Sequence, residues 1–298
     1  MKTRGWLMLM LLSAPSMAAE PARLLSAGSS ITELVVALGA QHQLVAVDST
    51  SELPAGSELP RLGYHRQLSA EGMLSTQPSL VIGSEEMGPQ TALSLVRQAG
   101  VQVEALPEAM TIAQLQLNII HLGELLDRAP QAQALHEAVQ QRAIALRAQP
   151  IDSPKRTIFL LLGEGNSVQI AGRHTLADSL IQVAGGMNPA STQVEGYKPV
   201  AMEALVAMAP EVILISRRHL TQGADTEQIF QQFPLLSHTP AAQHKAIVAI
   251  NGKALIGGFG LSTLSEAERL QQDWLAPDNL ALHSLTQDPL TPHAQTPE

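Results

Sequence analysis

The stretch Arg61-Leu-Gly-Tyr-His-Arg-Gln-Leu-Ser-Ala-Glu-Gly-Met-Leu-Ser-Thr-Gln-Pro-Ser-Leu-Val-Ile-Gly-Ser-Glu-Glu86 reads as a loop, a short helix and a buried strand. Its strand, Leu80 to Gly83, is a continuous apolar run of the kind found in parallel sheets covered on both faces. Its loop sets a phenol, an imidazole and a guanidinium on consecutive residues after Gly63, in a chain with two tyrosines. That loop, Tyr64-His65-Arg66, is the candidate ligand site.

The pattern recurs. Gly196-Tyr-Lys-Pro-Val-Ala-Met-Glu-Ala-Leu-Val-Ala-Met-Ala-Pro-Glu-Val-Ile-Leu-Ile-Ser216 repeats the order Gly-Tyr, Glu, Pro, apolar strand, and Glu203 to Pro210 matches the spacing of Glu71 to Pro78. Shared order and spacing imply two equivalent lobes. A chain of 298 residues has room for two cores, since single cores stop growing near 250–300 residues.

Outward from this stretch, strand and helix alternate. Arg23 to Gly28 reads as a strand, Ile31 to Leu38 as a helix that Ser29 or Ser30 can cap, and Leu44 to Asp48 as a strand. Ser69 to Ser75 and Gln90 to Ala99 read as helices, and Val101 to Leu106 as a strand. Alternation of this kind predicts an α/β lobe over 19–110 with a parallel sheet, whose binding loops lie at the carboxyl ends of its strands. Gly28-Ser29-Ser30, Tyr64 and Ser84-Glu85-Glu86 fall at that edge.

From Thr111 the period becomes helical, with Ile112, Leu115, Ile119, Leu122, Leu125 and Leu126 on one face. Pro130 marks a second helix start, and residues 131–148 hold no Gly or Pro. The segment 111–152 is therefore expected to be a helical spine between lobes. A second α/β lobe over 153–276 follows, with a strand at Thr157 to Leu162, a helix at Leu176 to Ala184 capped by Thr175 in a capping-box-like pattern with Asp178, a strand at Ala246 to Ile250 and a last helix from Ser262 to Leu275. Residues 277–298 are expected to form a loosely held tail. The overall expectation is two similar lobes with parallel-type central sheets, joined by a long helical spine, with a ligand cleft between them.

The N-terminus reads as an export signal: Lys2 and Arg4, the apolar run Gly5 to Leu12, then Ser16-Met17-Ala18, with cleavage expected after Ala18. The run is shorter than the ~20 residues that span a bilayer, and no other stretch is long and apolar enough to do so. Loss of residues 1–18 removes two cations and no acid, leaving a formal charge of about −11, which makes nucleic acid an unsuitable partner. The chain has no cysteine, hence no disulfide, no thiolate metal site and no residue for a lipid anchor.

Taken together, the export signal, strand-Gly-Ser-Ser-helix, Gly-Tyr loop, Pro-Ser-Leu-Val-Ile-Gly strand, helical spine and Ala171-Gly-Arg-His-Thr-Leu-Ala-Asp178 resemble the periplasmic haemin-binding proteins of ABC haem importers, over about residues 22–275. These belong to the class of helical-backbone periplasmic binding proteins, which also carry cobalamin, siderophores or metal ions. The resemblance implies ferric b-type haem held between the lobes as transported ligand, with Tyr64 as axial iron ligand. Ferric iron is hard and suits a phenolate oxygen; Arg66 or His65 would help hold that phenolate, and Arg66 is favoured for its permanent charge.

The resemblance also implies periplasmic residence, haem arriving by way of an outer-membrane receptor, and an inner-membrane ABC permease that docks acidic residues, here Glu85, Glu86 or Glu195. Tyr197, at the equivalent loop of the second lobe, is a candidate to face or stack on the haem, and His174 is a candidate second iron ligand. Arg66, Arg173, Lys198, Arg217 and Arg218 are candidate partners for the haem propionates, since arginine meets carboxylate through a planar fork.

Two other readings are weighed. The same fold can serve cobalamin or a ferric siderophore; a siderophore site needs several cleft cations and no axial tyrosine. An exported hydrolase is disfavoured, because Ser29 and Ser30 lack a Gly-x-Ser-x-Gly frame and the loop at Gly163-Glu-Gly-Asn166 is too short to cradle phosphate.

Overall fold

The computed structural model describes residues 22–163, 167–217 and 226–275. The expected export signal, the tail 277–298, residues 164–166 of the loop after Leu162 and Arg218 lie outside them.

The first sheet is built from β1 (Leu24–Ala27), β2 (Leu44–Val47), β3 (Leu80–Ser84) and β4 (Gln102–Leu106), in the order β2-β1-β3-β4 and parallel throughout. Every residue of β3 is buried, as expected for an apolar run covered by helices on both faces. At Gly83 a Cβ would lie 2.7 Å from Met87 Sδ and 2.9 Å from the Ala27 carbonyl oxygen, so the close approach of β1 and the turn after β3 requires glycine. The covering helices are α1 (Ser29–Ala37), α2 (Ala70–Ser75) and α3 (Gln90–Gln98).

Ser29 and Ser30 do not cap α1 as expected. Both lie inside it, and the N-cap is Gly28 at φ 105°. Ser30 Oγ instead donates to the carbonyl of Gly257, far along the chain. Ser69 does cap α2, accepting from the Gly72 N–H at 3.0 Å.

The spine is two antiparallel helices, α4 (Ile112–Leu125) and α5 (Ala129–Ala148), with Thr111 capping α4 and Pro130 in the first turn of α5. Leu115, Ile119 and Leu122 of α4 share one core with Leu24, Leu34 and Ile82, so α4 covers the first sheet. The 20 residues of α5, about 30 Å long, lead on to the second sheet.

The second sheet comprises β5 (Thr157–Leu162), β6 (Val168–Ala171), β7 (Tyr197–Pro199), β8 (Val212–Ser216) and β9 (Ile247–Ile250), in the order β7-β6-β5-β8-β9. Its helices are α6 (Leu176–Val183), α7 (Met202–Ala207), α8 (Thr226–Gln232), α9 (Pro240–Gln243) and α10 (Leu261–Leu275). The parallel trio β5, β8, β9 reproduces β1, β3, β4 of the first sheet. The outer pair departs from expectation: β6 runs antiparallel to β5, and β7 antiparallel to β6, making this sheet mixed. The Gly163 N–H donates to Ser167 O at 2.9 Å and closes the β5–β6 hairpin that redirects the chain.

The two sheets do not hang loosely from the spine. Leu176 of α6, Phe259 just ahead of α10 and Leu264 of α10 belong to the same core as Leu24 and Ile82. Arg142 of α5 forms a two-pronged pair with Glu268 of α10, at 2.7 Å for each contact, and Gln271 Nε2 donates to Leu146 O at 2.8 Å.

Candidate ligand-binding cleft

All four strands of the first sheet deliver residues to one edge: Gly28 follows β1, Asp48 follows β2, Glu86 lies beyond β3 and Glu108 beyond β4. The Tyr64 loop is stitched to that edge. Leu62 N–H donates to Val47 O at 2.8 Å and Ser49 N–H to Gly63 O at 3.2 Å, while Gly88 N–H donates to His65 O at 2.9 Å. Tyr64 then stands at the head of a short 3₁₀ turn, His65–Gln67.

The edge borders a cleft of about 270 Å³. The first lobe contributes Tyr64, His65, Arg66, Glu86, Glu108 and Met110; the second contributes His174, Thr175, Leu176, Gly196 and Tyr197, with Leu255–Gly257 beneath. Five of the expected site residues, Tyr64, His65, Arg66, His174 and Tyr197, therefore meet around one cavity.

Tyr64 is 39% exposed and packs the edge of its ring on His65, with centroids 4.3 Å apart. His65 is fully buried between two carboxylates, Nδ1 3.7 Å from Asp48 and Nε2 3.9 Å from Glu86. Burial works against a charged imidazole here, but the two carboxylates outweigh it and raise its pKa above the ordinary histidine value. Asp48 also takes hydrogen bonds from Gly28 N and Thr50 N, each at 3.0 Å, and from the Thr50 and Ser51 hydroxyls. Burial alone would raise its pKa; His65 and these donors instead hold it well below the usual carboxylate range.

Arg66 is paired with Glu86. The guanidinium expected to support the Tyr64 phenolate thus already has a carboxylate partner. Glu86 is held below the ordinary carboxylate pKa by His65 first and by Arg66 as well, and it lines the cleft. Glu108, unremarked in the sequence, faces the same cavity, its pKa raised by burial and by Glu86.

Tyr197 lies on a strand rather than in the expected loop. Its ring packs edge-on against Phe159 at 6.3 Å, and burial pushes its phenol up to about 12, so it stays neutral across the physiological range. Lys198, the next residue on β7, points to the opposite face of the sheet and is exposed. Arg173 pairs with Glu195 at 2.7 Å outside the cavity lining, and Arg217 is exposed at the end of β8. Those three do not line the cleft, which leaves the paired Arg66 as the guanidinium that does among the described residues. His174 lines it at φ 59°, with Nδ1 3.3 Å from Glu195.

Two α/β lobes with a shared spine and a cleft at the carboxyl ends of their strands define a solute-binding protein, and the chain belongs to the periplasmic binding protein family, whose model matches residues 24–254. That family is a non-catalytic component of transport. Among solved structures, the chain is similar to the periplasmic haem-binding protein HutB of Vibrio cholerae, with 45% identity and a TM-score of 0.80 over 84% of this chain and 98% of that one. It is similar too to the periplasmic haem-binding protein BhuT in complex with two haems, at 32% identity and TM-score 0.78, covering 87% and 99%. The vitamin B12-binding protein of Vibrio parahaemolyticus is 26% identical over 226 residues, 75% of this chain and 82% of that protein.

Proposed function

We propose that this protein binds ferric b-type haem between its N-terminal lobe (19–110) and C-terminal lobe (153–276), with Tyr64 as axial ligand. It carries the haem through the periplasm to an inner-membrane ABC permease, after export and cleavage near Ala18. The observation that carries this reading is Tyr64 itself: a phenol left open at the mouth of a two-lobed cleft, on a loop pinned to the first sheet. A phenolate is a hard oxygen donor suited to ferric iron. Met110, Leu176, Leu255 and Ile256 supply apolar surface for a flat macrocycle.

The likeness to HutB at 45% identity supports haem over cobalamin, for which vitamin B12-binding relatives are 26 to 28% identical. A siderophore site needs several cleft cations and no axial tyrosine, and among the described residues the one guanidinium lining this cleft, Arg66, stands beside Tyr64 and is paired with Glu86. Among the described residues no three His or carboxylate side chains converge as a zinc or manganese site requires. His174, across the cleft from Tyr64, is the candidate second ligand. Of the three acids expected to dock a permease, Glu85 and Glu195 are exposed and outside the cavity lining; Glu195 is paired with Arg173, so Glu85 is the one proposed for that role.

An absorption titration of the mature protein with haemin, run beside Tyr64→Phe and Tyr64→Ala, tests this. The wild type is expected to give a saturable ferric spectrum with tyrosinate charge-transfer bands that both variants lose. Equal binding in all three would remove Tyr64 from the role. Saturable cyanocobalamin binding without haemin binding would replace haem by the cobalamin reading.

A further inference from the structure

We propose that Glu195 is a positioning residue that fixes the tautomer of His174, so that the second lobe presents the unprotonated Nε2 to iron in the cleft. The iron half of this inference rests on the haem reading above.

The backbone comes first. His174 occupies the left-handed region at φ 59°, which a residue with a side chain adopts only where its surroundings over-determine it. They do so on both sides. Arg173 N–H donates to Val194 O at 3.0 Å, Gly196 N–H to Arg173 O at 2.9 Å and Gly172 N–H to Gly196 O at 2.9 Å. A Cβ on Gly172 would lie 2.2 Å from Val194 O, so the two segments are at closest approach. On the other side, Thr175 is committed to capping α6, accepting from Asp178 N–H at 3.1 Å. His174 is the single residue between a paired bridge and a helix cap.

The side chain follows from the same pairing, which sets Glu195 opposite Arg173. Arg173 grips Glu195 Oε2 at 2.7 Å, and Oε1 is left 3.3 Å from His174 Nδ1. An ionised carboxylate only accepts, so Nδ1 must carry the proton and a neutral imidazole then has its lone pair on Nε2. The three side chains are largely solvent-exposed, and exposed ion pairs add little to stability. A strained histidine on the cleft wall, oriented by a carboxylate that is itself oriented by an arginine, is the arrangement by which outer-shell groups aim a metal-binding imidazole.

Two measurements test it. In the haem-free protein, long-range ¹H–¹⁵N correlation spectra should show the Nδ1–H tautomer of His174 enriched in the wild type and in Glu195→Gln, whose amide oxygen still accepts, with a shift toward Nε2–H in Glu195→Ala. In haemin titrations, Glu195→Ala should reproduce the spectrum of His174→Ala, losing histidine-ligated low-spin bands while keeping Tyr64-dependent binding, at about tenfold weaker affinity. A wild-type tautomer and spectrum in Glu195→Ala would overturn the positioning role. A wild-type spectrum in His174→Ala would overturn the iron ligand. No saturable haemin binding by the wild type is the distinct failure of the haem reading and removes the iron half with it, while the tautomer spectra still decide the role of Glu195.

Discussion

Glu33 of α1 accepts the backbone N–H of Ser262, at the start of α10, through both carboxylate oxygens, at 3.1 and 3.3 Å. A first-turn N–H has no partner within its own helix, so the contact ties the first lobe to the helix that braces the spine. A Cβ on Gly260 would lie 1.9 Å from Glu33 Oε1, which shows how closely the carboxyl is enclosed. Burial raises the Glu33 pKa to about 7 against the donors at Ser262, which lower it.

The folded state therefore holds a proton that the unfolded chain releases. This contribution to stability is full below the unfolded carboxylate value and is lost as pH rises through about 7. The difference amounts to up to roughly 3 kcal/mol. Melting curves from pH 5 to 8 should show the wild-type Tm falling with pH. Glu33→Gln, which keeps an acceptor for Ser262, should flatten that slope and melt higher at pH 8. An unchanged slope would place the titrating group elsewhere.

His65→Ala should destabilise the protein by about 2 kcal/mol, because it leaves Asp48 and Glu86 without the imidazole between them. The raised pKa of His65 means that its contribution is fully present below the unfolded histidine value and is lost as pH rises through the folded one. Denaturant titrations should therefore find a larger loss at pH 6 than at pH 9. An equal loss at both would make His65 a packing residue only.

Asp178 was expected to reach back to the start of its own helix. Its carboxylate instead accepts from Asn188 Nδ2 at 2.9 Å, from Gln182 Nε2 at 2.8 Å and from the Ser191 hydroxyl, organising the segment that leads to β7. Asp178→Ala should cost about 2 kcal/mol by leaving buried Asn188 without that acceptor. It should also weaken ligand binding through Tyr197 and Gly196. A drop in Tm smaller than about 2 °C would contradict this.

Solution scattering should register little lobe movement on haemin binding, because residues of both lobes share one core and α5 is bonded to α10. The radius of gyration is expected to stay within about 0.5 Å of the roughly 19 Å of a compact chain of this size. A contraction of several ångströms would show a hinge that this packing does not provide.

The sequence by itself determined the lobes' parallel framework and the loop that matters. Leu80 to Gly83 and Val212 to Ile215 carry no polar side chain because both faces of a parallel strand are covered, and that burial is written locally in side-chain type. The Gly-Tyr repeat marked their equivalence, and Thr175 announced its helix because a cap is a contact over three residues. Tertiary structure alone decided how the charges pair. Arg66 meets Glu86, Glu33 meets Ser262 and Glu108 enters the cleft because strand order brings distant loop ends to one edge. No local period records that meeting. Tyr197 became a strand residue with a neutral phenol only when the short antiparallel pair β6 and β7 folded back on β5, a choice of partner that three residues of sequence do not encode.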